Sequence, residues 1–114
     1  MLARQYCLKG KKSFEKVNQD GRLFQSESFG VAVLTRGDKE VSRFGFIVSS
    51  KISKEAVQRN RIKRALSEAV RFEMALVKPG YDVVFLAKHP SLKKPTDGLM
   101  REVREFLPET GITK

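Results

Sequence analysis

The chain has 114 residues, 40% of them apolar and 9% aromatic, which suffices for one domain of about this size to bury a core without metal or disulfide support. Twenty-three Lys and Arg face thirteen Asp and Glu, a net charge of +10 and a pI near 10.1, which points to a polyanionic partner. A single cysteine, Cys7, excludes an internal disulfide framework, and no apolar run approaches the roughly 18 residues needed to span a bilayer.

The opening Met1-Leu2-Ala3-Arg4-Gln5-Tyr6 lacks the apolar core of a signal peptide, so a cytoplasmic location without membrane contact is expected. Residues 13–19 suggest a short helix, with Phe14 and Val17 three apart, Ser13 as candidate N-cap and Gly21 as the stop. A short strand is expected around 22–25 and a longer one over 28–35. Gly37-Asp38-Lys39-Glu40 reads as a turn, and 43–49 as another strand. In that last strand Phe44, Phe46 and Val48 should point one way, Gly45 and Ile47 the other.

Between Ile62 and Leu76 the residues Ile62, Ala65, Leu66, Ala69, Phe72 and Leu76 recur at helical spacing on one face. Asn60, Arg64, Ser67 and Arg71 fall on the opposite face, flanked by Arg61 and Lys63. The helix starts near Ser53 or closer to Asn60, and Pro79-Gly80 ends it. Residues 81–87 form an apolar run of strand length, expected at the centre of a sheet. Pro95-Thr96-Asp97 opens a last helix with Leu99, Met100, Val103, Phe106 and Leu107 as its buried stripe, ended by Pro108. The order α-β-β-β-α-β-α defines an α+β sandwich over residues 1–114 as a single domain.

The charge is focused. Residues 51–72 carry seven basic and two acidic residues, and residues 1–22 carry six and two, so these two segments hold nearly all of the net +10. A catalytic constellation is not legible. His89 stands alone in Lys88-His89-Pro90, Cys7 has no nearby ligand or base, and Asp20, Asp38, Asp82 and Asp97 sit beside turns or element ends. Neither a catalytic nor a metal-ligating set is expected; the chain reads as a binder whose partner performs any chemistry.

Arg59-Asn60-Arg61-Ile62-Lys63-Arg64 packs four cations and an amide into six residues at a helix start, with only Glu55 and Glu68 close enough to compensate. Guanidinium forks match phosphates bidentately. Together with the preceding Phe44-Gly45-Phe46-Ile47-Val48-Ser49, this segment resembles the signature of the bacterial ribonuclease P protein. The resemblance runs from about Leu8 to Lys88 and takes in Leu8-Lys9, Phe14, Val17, Gly21, Phe29 and Asp82-Val83-Val84.

The resemblance implies a four-stranded sheet with helices and a left-handed βαβ crossover, an exception to the usual hand. It implies a non-catalytic subunit, one per RNA, that binds ribonuclease P RNA and the 5′ leader of precursor tRNA. The RNA and its Mg²⁺ would perform the endonucleolytic removal of the leader. Carried over, Arg59, Asn60, Arg61, Lys63 and Arg64 would hold RNA, with Lys51, Lys54 and Arg71 extending the surface. Phe14 would line the leader cleft or serve simply as a core residue, with Asn18 and Phe44 near it and Phe24 or Phe29 as alternatives. Three departures from the family pattern stand out: Asn18 in place of a second aromatic, Gly30 and Ala32 where larger side chains can stand, and Ser49-Ser50-Lys51 in place of consecutive lysines. A ribosomal or RNA-chaperone protein that binds structured RNA is the alternative on composition alone, and a protein-only nuclease is disfavoured by the missing constellation.

Overall fold

A computed structural model describes residues 2–114. Helix α1 (Lys11–Asp20) leads into strands β1 (Arg22–Gln25), β2 (Phe29–Thr35) and β3 (Arg43–Ile47). The long helix α2 (Ala56–Glu73) then crosses to strand β4 (Tyr81–Ala87). A one-turn helix α3 (Pro90–Lys93) and helix α4 (Thr96–Phe106) complete the chain. The four strands form one sheet in the order β1-β2-β4-β3, with β4 antiparallel to β2 and parallel to β3. The expected α+β order therefore stands, with α3 as an added turn.

Position in the sheet explains the strand sequences. β2 and β4 are interior and covered on both faces, so their middles read as continuous apolar runs. One face carries Phe29, Val31, Val33, Phe44, Val83 and Phe85 into the main core beneath α2 and α4. Tilted and edge-on ring pairs among Phe29, Phe85 and Phe106, with centroids 5.4 and 5.8 Å apart, fill its centre. The other face carries Ala32 and Val84 against Leu8 and Val17, with Phe14, Leu34, Ile47 and Leu86 packed around them. The two-way alternation expected of β3 holds: Phe44, Phe46 and Val48 join the main core, and Ile47 the α1 side.

Several expectations need correction. Ser13 does not cap α1; the helix starts two residues earlier from Gly10, whose φ of +89° turns the chain as few other residues can. The buried stripe of α2 is Ile62, Ala65, Leu66, Ala69 and Val70, whereas Phe72 is 62% and Leu76 51% exposed. Phe72 lies at the edge of the stripe, and the chain tightens into a 3-10 turn at Met74–Leu76, which carries Leu76 off the helical register. Ser67, expected on the polar face, is buried and donates its hydroxyl to the Arg64 carbonyl at 3.1 Å. Pro108 does not stop the last helix sharply, because a 3-10 turn (Leu107–Thr110) carries it on to Gly111.

Candidate nucleic-acid interface

The approach to α2 is a short polar loop that holds its own shape. Ser49 Oγ accepts from the Lys51 amide at 3.1 Å, and Ser53 Oγ accepts from the Glu55 amide at 3.2 Å. Both are local side-chain bonds of the kind that fix turns. Ser53 thus braces the entry, while Glu55 occupies the cap position without a capping bond from its side chain. Lys51 and Lys54 project from this loop, exposed.

Within the cationic hexapeptide the residues divide by task. Arg59 is half-buried and donates through Nη1 to the Ser53 carbonyl at 2.8 Å, tying the first turn of α2 to the loop. Arg61, also half-buried, donates through Nη1 and Nη2 to the carbonyls of Lys94 and Leu92, both at 3.2 Å, and through Nε to Gln58 at 3.1 Å. It clamps α2 to the segment before α4. Arg61 therefore does not lie free on the polar flank of the helix. Asn60, Lys63 and Arg64 are exposed, and their side chains have no hydrogen-bond or ion-pair partner among the described residues. Asn60 and Arg64 share a groove of about 490 Å³ with Val57 and Thr96. Two turns on, Arg71 is engaged with Glu68 at 2.8 Å and lies over the Phe72 ring at 4.5 Å. That hydrogen bond is the largest of the causes that hold the Glu68 carboxyl down at about 2. The unpartnered surface is thus Lys51, Lys54, Asn60, Lys63 and Arg64.

The α1 side of the sheet holds the second group. Phe14 is half-buried, and its ring packs against Gly45, where an added Cβ would stand 2.3 Å from a ring carbon. Glycine at that point of β3 makes room for the ring. Asn18 is exposed one turn further along α1. Phe44 belongs elsewhere: it is 1% exposed on the opposite face, its ring 6.4 Å from that of Phe85. Phe24 and Phe29 also point into that main core, so neither alternative aromatic reaches the α1 side. The side chains that do include Leu23, 55% exposed, and the half-buried Leu34, Ile47 and Leu86. Strand alternation alone would have found Leu23, one position from Phe24. Gly30 is not a void, since a Cβ there would meet Gln25 Oε1 at 3.3 Å and Leu23 Cδ1 at 3.7 Å. The neighbouring strand occupies its place.

Among the described residues no group of three or more His, Cys, Asp or Glu gathers as metal ligands would. His89 is exposed at the start of α3, and Cys7 Sγ faces the carbonyls of Leu2 and Ala3 at 3.7 and 3.5 Å. Asp82 is held by Arg36 at 2.7 Å, which accounts for it structurally. No helix among the described residues is long and apolar enough to cross a membrane.

Fold and surface together define a small α+β domain with a row of unpartnered cations on one helix and its approach, and no cluster of three or more metal-ligating side chains among the described residues. Comparison with known proteins gives that class a family. The ribonuclease P family model matches residues 2–111. The ribonuclease P protein component of Roseiflexus castenholzii is 37% identical over 116 residues, covering 99% of this chain and 92% of its own. That of Synechocystis is 31% identical over 111 residues, covering 97% and 90%. Among solved structures, a ribonuclease P protein of Staphylococcus aureus superposes with a TM-score of 0.87 at 23% identity, over 96% of this chain and 98% of that one. The Thermotoga maritima protein superposes at 0.80 and 22% identity, over 90% and 96%; at such identities the likeness speaks to the fold. The chain belongs to the family of ribonuclease P protein components, subunits of a tRNA-processing ribonuclease complex whose partner is an RNA.

Proposed function

We propose that the protein, acting as a single RNA-binding domain in the cytoplasm, binds ribonuclease P RNA in a one-to-one complex through the α2 surface. On its α1 side it would bind the 5′ leader of precursor tRNA. Binding promotes endonucleolytic removal of the leader and formation of the mature 5′ end. Hydrolysis would belong to the RNA and to Mg²⁺ held by it. The observation that carries this reading is the row of exposed, unpartnered groups at Lys51, Lys54, Asn60, Lys63 and Arg64. Cations without partners in the free protein can neutralise phosphates without first breaking an internal bond. Arg59 and Arg61 hold the row in place by fixing both ends of the first two turns of α2. Arg71 extends the surface if it exchanges Glu68 for a phosphate.

The leader would lie along Phe14, Asn18, Leu23, Ile47 and Leu86. A base stacked on the Phe14 ring contributes about 1–3 kcal/mol. The test is equilibrium binding of the double variant Lys63→Ala/Arg64→Ala to ribonuclease P RNA across a salt series. The expected result is weaker binding and a log–log salt slope shallower by about 1.4–1.8, at 0.7–0.9 per neutralised phosphate. Unchanged affinity and slope would remove the α2 surface from the RNA interface.

A further inference from the structure

The α2 surface leaves unused the net +4 carried by residues 1–22. Part of that segment runs as a strap beside β3: Cys7 pairs with Phe44 in parallel fashion, and the Leu8 amide donates to the Phe44 carbonyl at 2.8 Å. Leu2 and Leu8 are buried and anchor it. The strap gathers three cations from separate parts of the chain. Arg4 comes from the 3-10 turn Arg4–Tyr6, Lys9 follows the anchored Leu8, and Arg43 precedes Phe44. All three line one groove of about 370 Å³, with Ser13 and Val41 on its wall and no Asp or Glu among the lining residues. Arg43 reaches Glu40 at 3.4 Å, but both side chains are open to solvent, so that pair contributes little and yields readily.

The groove also borders the first turn of α1, whose N-terminus no side chain caps, so the helix dipole adds to the positive potential. Its place in the fold indicates the occupant. Ser13 is adjacent to Phe14, and Arg43 stands two residues before the Gly45 on which the Phe14 ring rests. The groove therefore continues the Phe14 surface toward the start of β3, away from the loop that leads the other end of β3 into α2. Three separated cations along an open groove suit a backbone passing through it. A small free anion would need converging donors.

We infer that this groove is a phosphate site for single-stranded RNA, holding the leader backbone beyond the nucleotide that meets Phe14. It rests on the leader reading above. The test uses holoenzyme assembled from the full-length protein and ribonuclease P RNA, with Arg4→Gln/Lys9→Gln/Arg43→Gln compared with the unsubstituted protein. The ligands are mature tRNA and two precursors, one with a leader ending at the Phe14 nucleotide and one with a longer leader. The long-leader precursor should bind about tenfold more weakly, its salt slope shallower by about 0.7 for each single-strand phosphate no longer neutralised. Mature tRNA, the short-leader precursor and assembly with the RNA subunit should be unchanged. Equal losses with short and long leaders, weaker assembly, or no loss at all would each overturn the inference. Lys9→Glu, a single reversal at an exposed position, provides the same test should the triple variant melt early. Phe14→Leu separates the two claims: if it abolishes leader preference while the triple variant does not, only this groove fails. If neither changes that preference, the leader surface itself fails.

Discussion

Arg61 and Arg64 stand three positions apart on α2, yet their removal should have different consequences. Arg64 is exposed without a partner among the described residues, so Arg64→Ala should change stability by no more than about 0.5 kcal/mol while weakening RNA binding. Arg61→Ala releases two backbone carbonyls and should cost about 1–3 kcal/mol of stability, read as a lower melting temperature of the free protein. The sequence shows both as arginines of one motif; only the fold shows that α3 and the residue after it come close enough to occupy Arg61. Phe14 and Gly45 form a second pair. Phe14→Leu keeps most of the apolar volume and should cost less than about 1.5 kcal/mol of stability. It should nevertheless lower the preference for precursor over mature tRNA. Gly45→Ala would drive a methyl into the Phe14 ring, displacing it with the same loss of preference and a stability cost of about 1–3 kcal/mol. That Phe14 faces the sheet was legible from its helical spacing with Val17, which packs beside it. Phe44 was misplaced because the family pattern brings it near the motif, although alternation already set it opposite Gly45.

At the scale of elements, the helices and strands were legible wherever periodicity was sustained: β2, β4, α2 and α4 stand within a few residues of their expected bounds. What the sequence hid were ties made between distant segments. Glu102 of α4 accepts from Lys94 Nζ at 2.6 Å, from the Ser28 amide at 2.9 Å and from the Ser26 hydroxyl, locking α4 to the β1–β2 hairpin. Burial alone would raise the Glu102 carboxyl, but these donors outweigh it and hold the group down at about 2. A depressed carboxylate contributes its stability above its unfolded value and loses it as the pH falls through the folded one. Glu102→Gln should therefore cost about 2 kcal/mol at neutral pH. The gap between the two proteins in chemical unfolding should narrow below pH 4.5 and close near pH 2. A pH-independent gap would mean that shape rather than charge makes the tie. The 3-10 turn at Met74–Leu76 was equally hidden, since nothing in local composition marks where α2 stops being α-helical and turns Leu76 outward.

For the molecule as a whole, charge decides more than any single contact. Most of the +10 lies in residues 1–22 and 51–72, and cations of the two segments stand at opposite ends of β3: Arg4 and Lys9 in the strap groove beside its start, and the α2 surface beyond its end. The sequence disclosed the two basic segments but not which cations remain free, because partnership depends on carbonyls and carboxylates brought in from elsewhere. With the side chains of Lys51, Lys54, Lys63 and Arg64 unpartnered, binding to the RNA subunit should show a log–log salt slope of about −2.8 to −3.6, taking 0.7–0.9 per neutralised phosphate. Cations that offset phosphate repulsion between catalytic RNA and substrate should also reduce the need for Mg²⁺. Cleavage of a precursor tRNA at low Mg²⁺ by ribonuclease P RNA, with and without the purified protein and alongside the protein alone, tests this most directly. The expected result is leader removal at the mature 5′ end only when RNA and protein are both present. Cleavage by nuclease-free protein alone, or no gain from adding the protein to the RNA, would contradict the account.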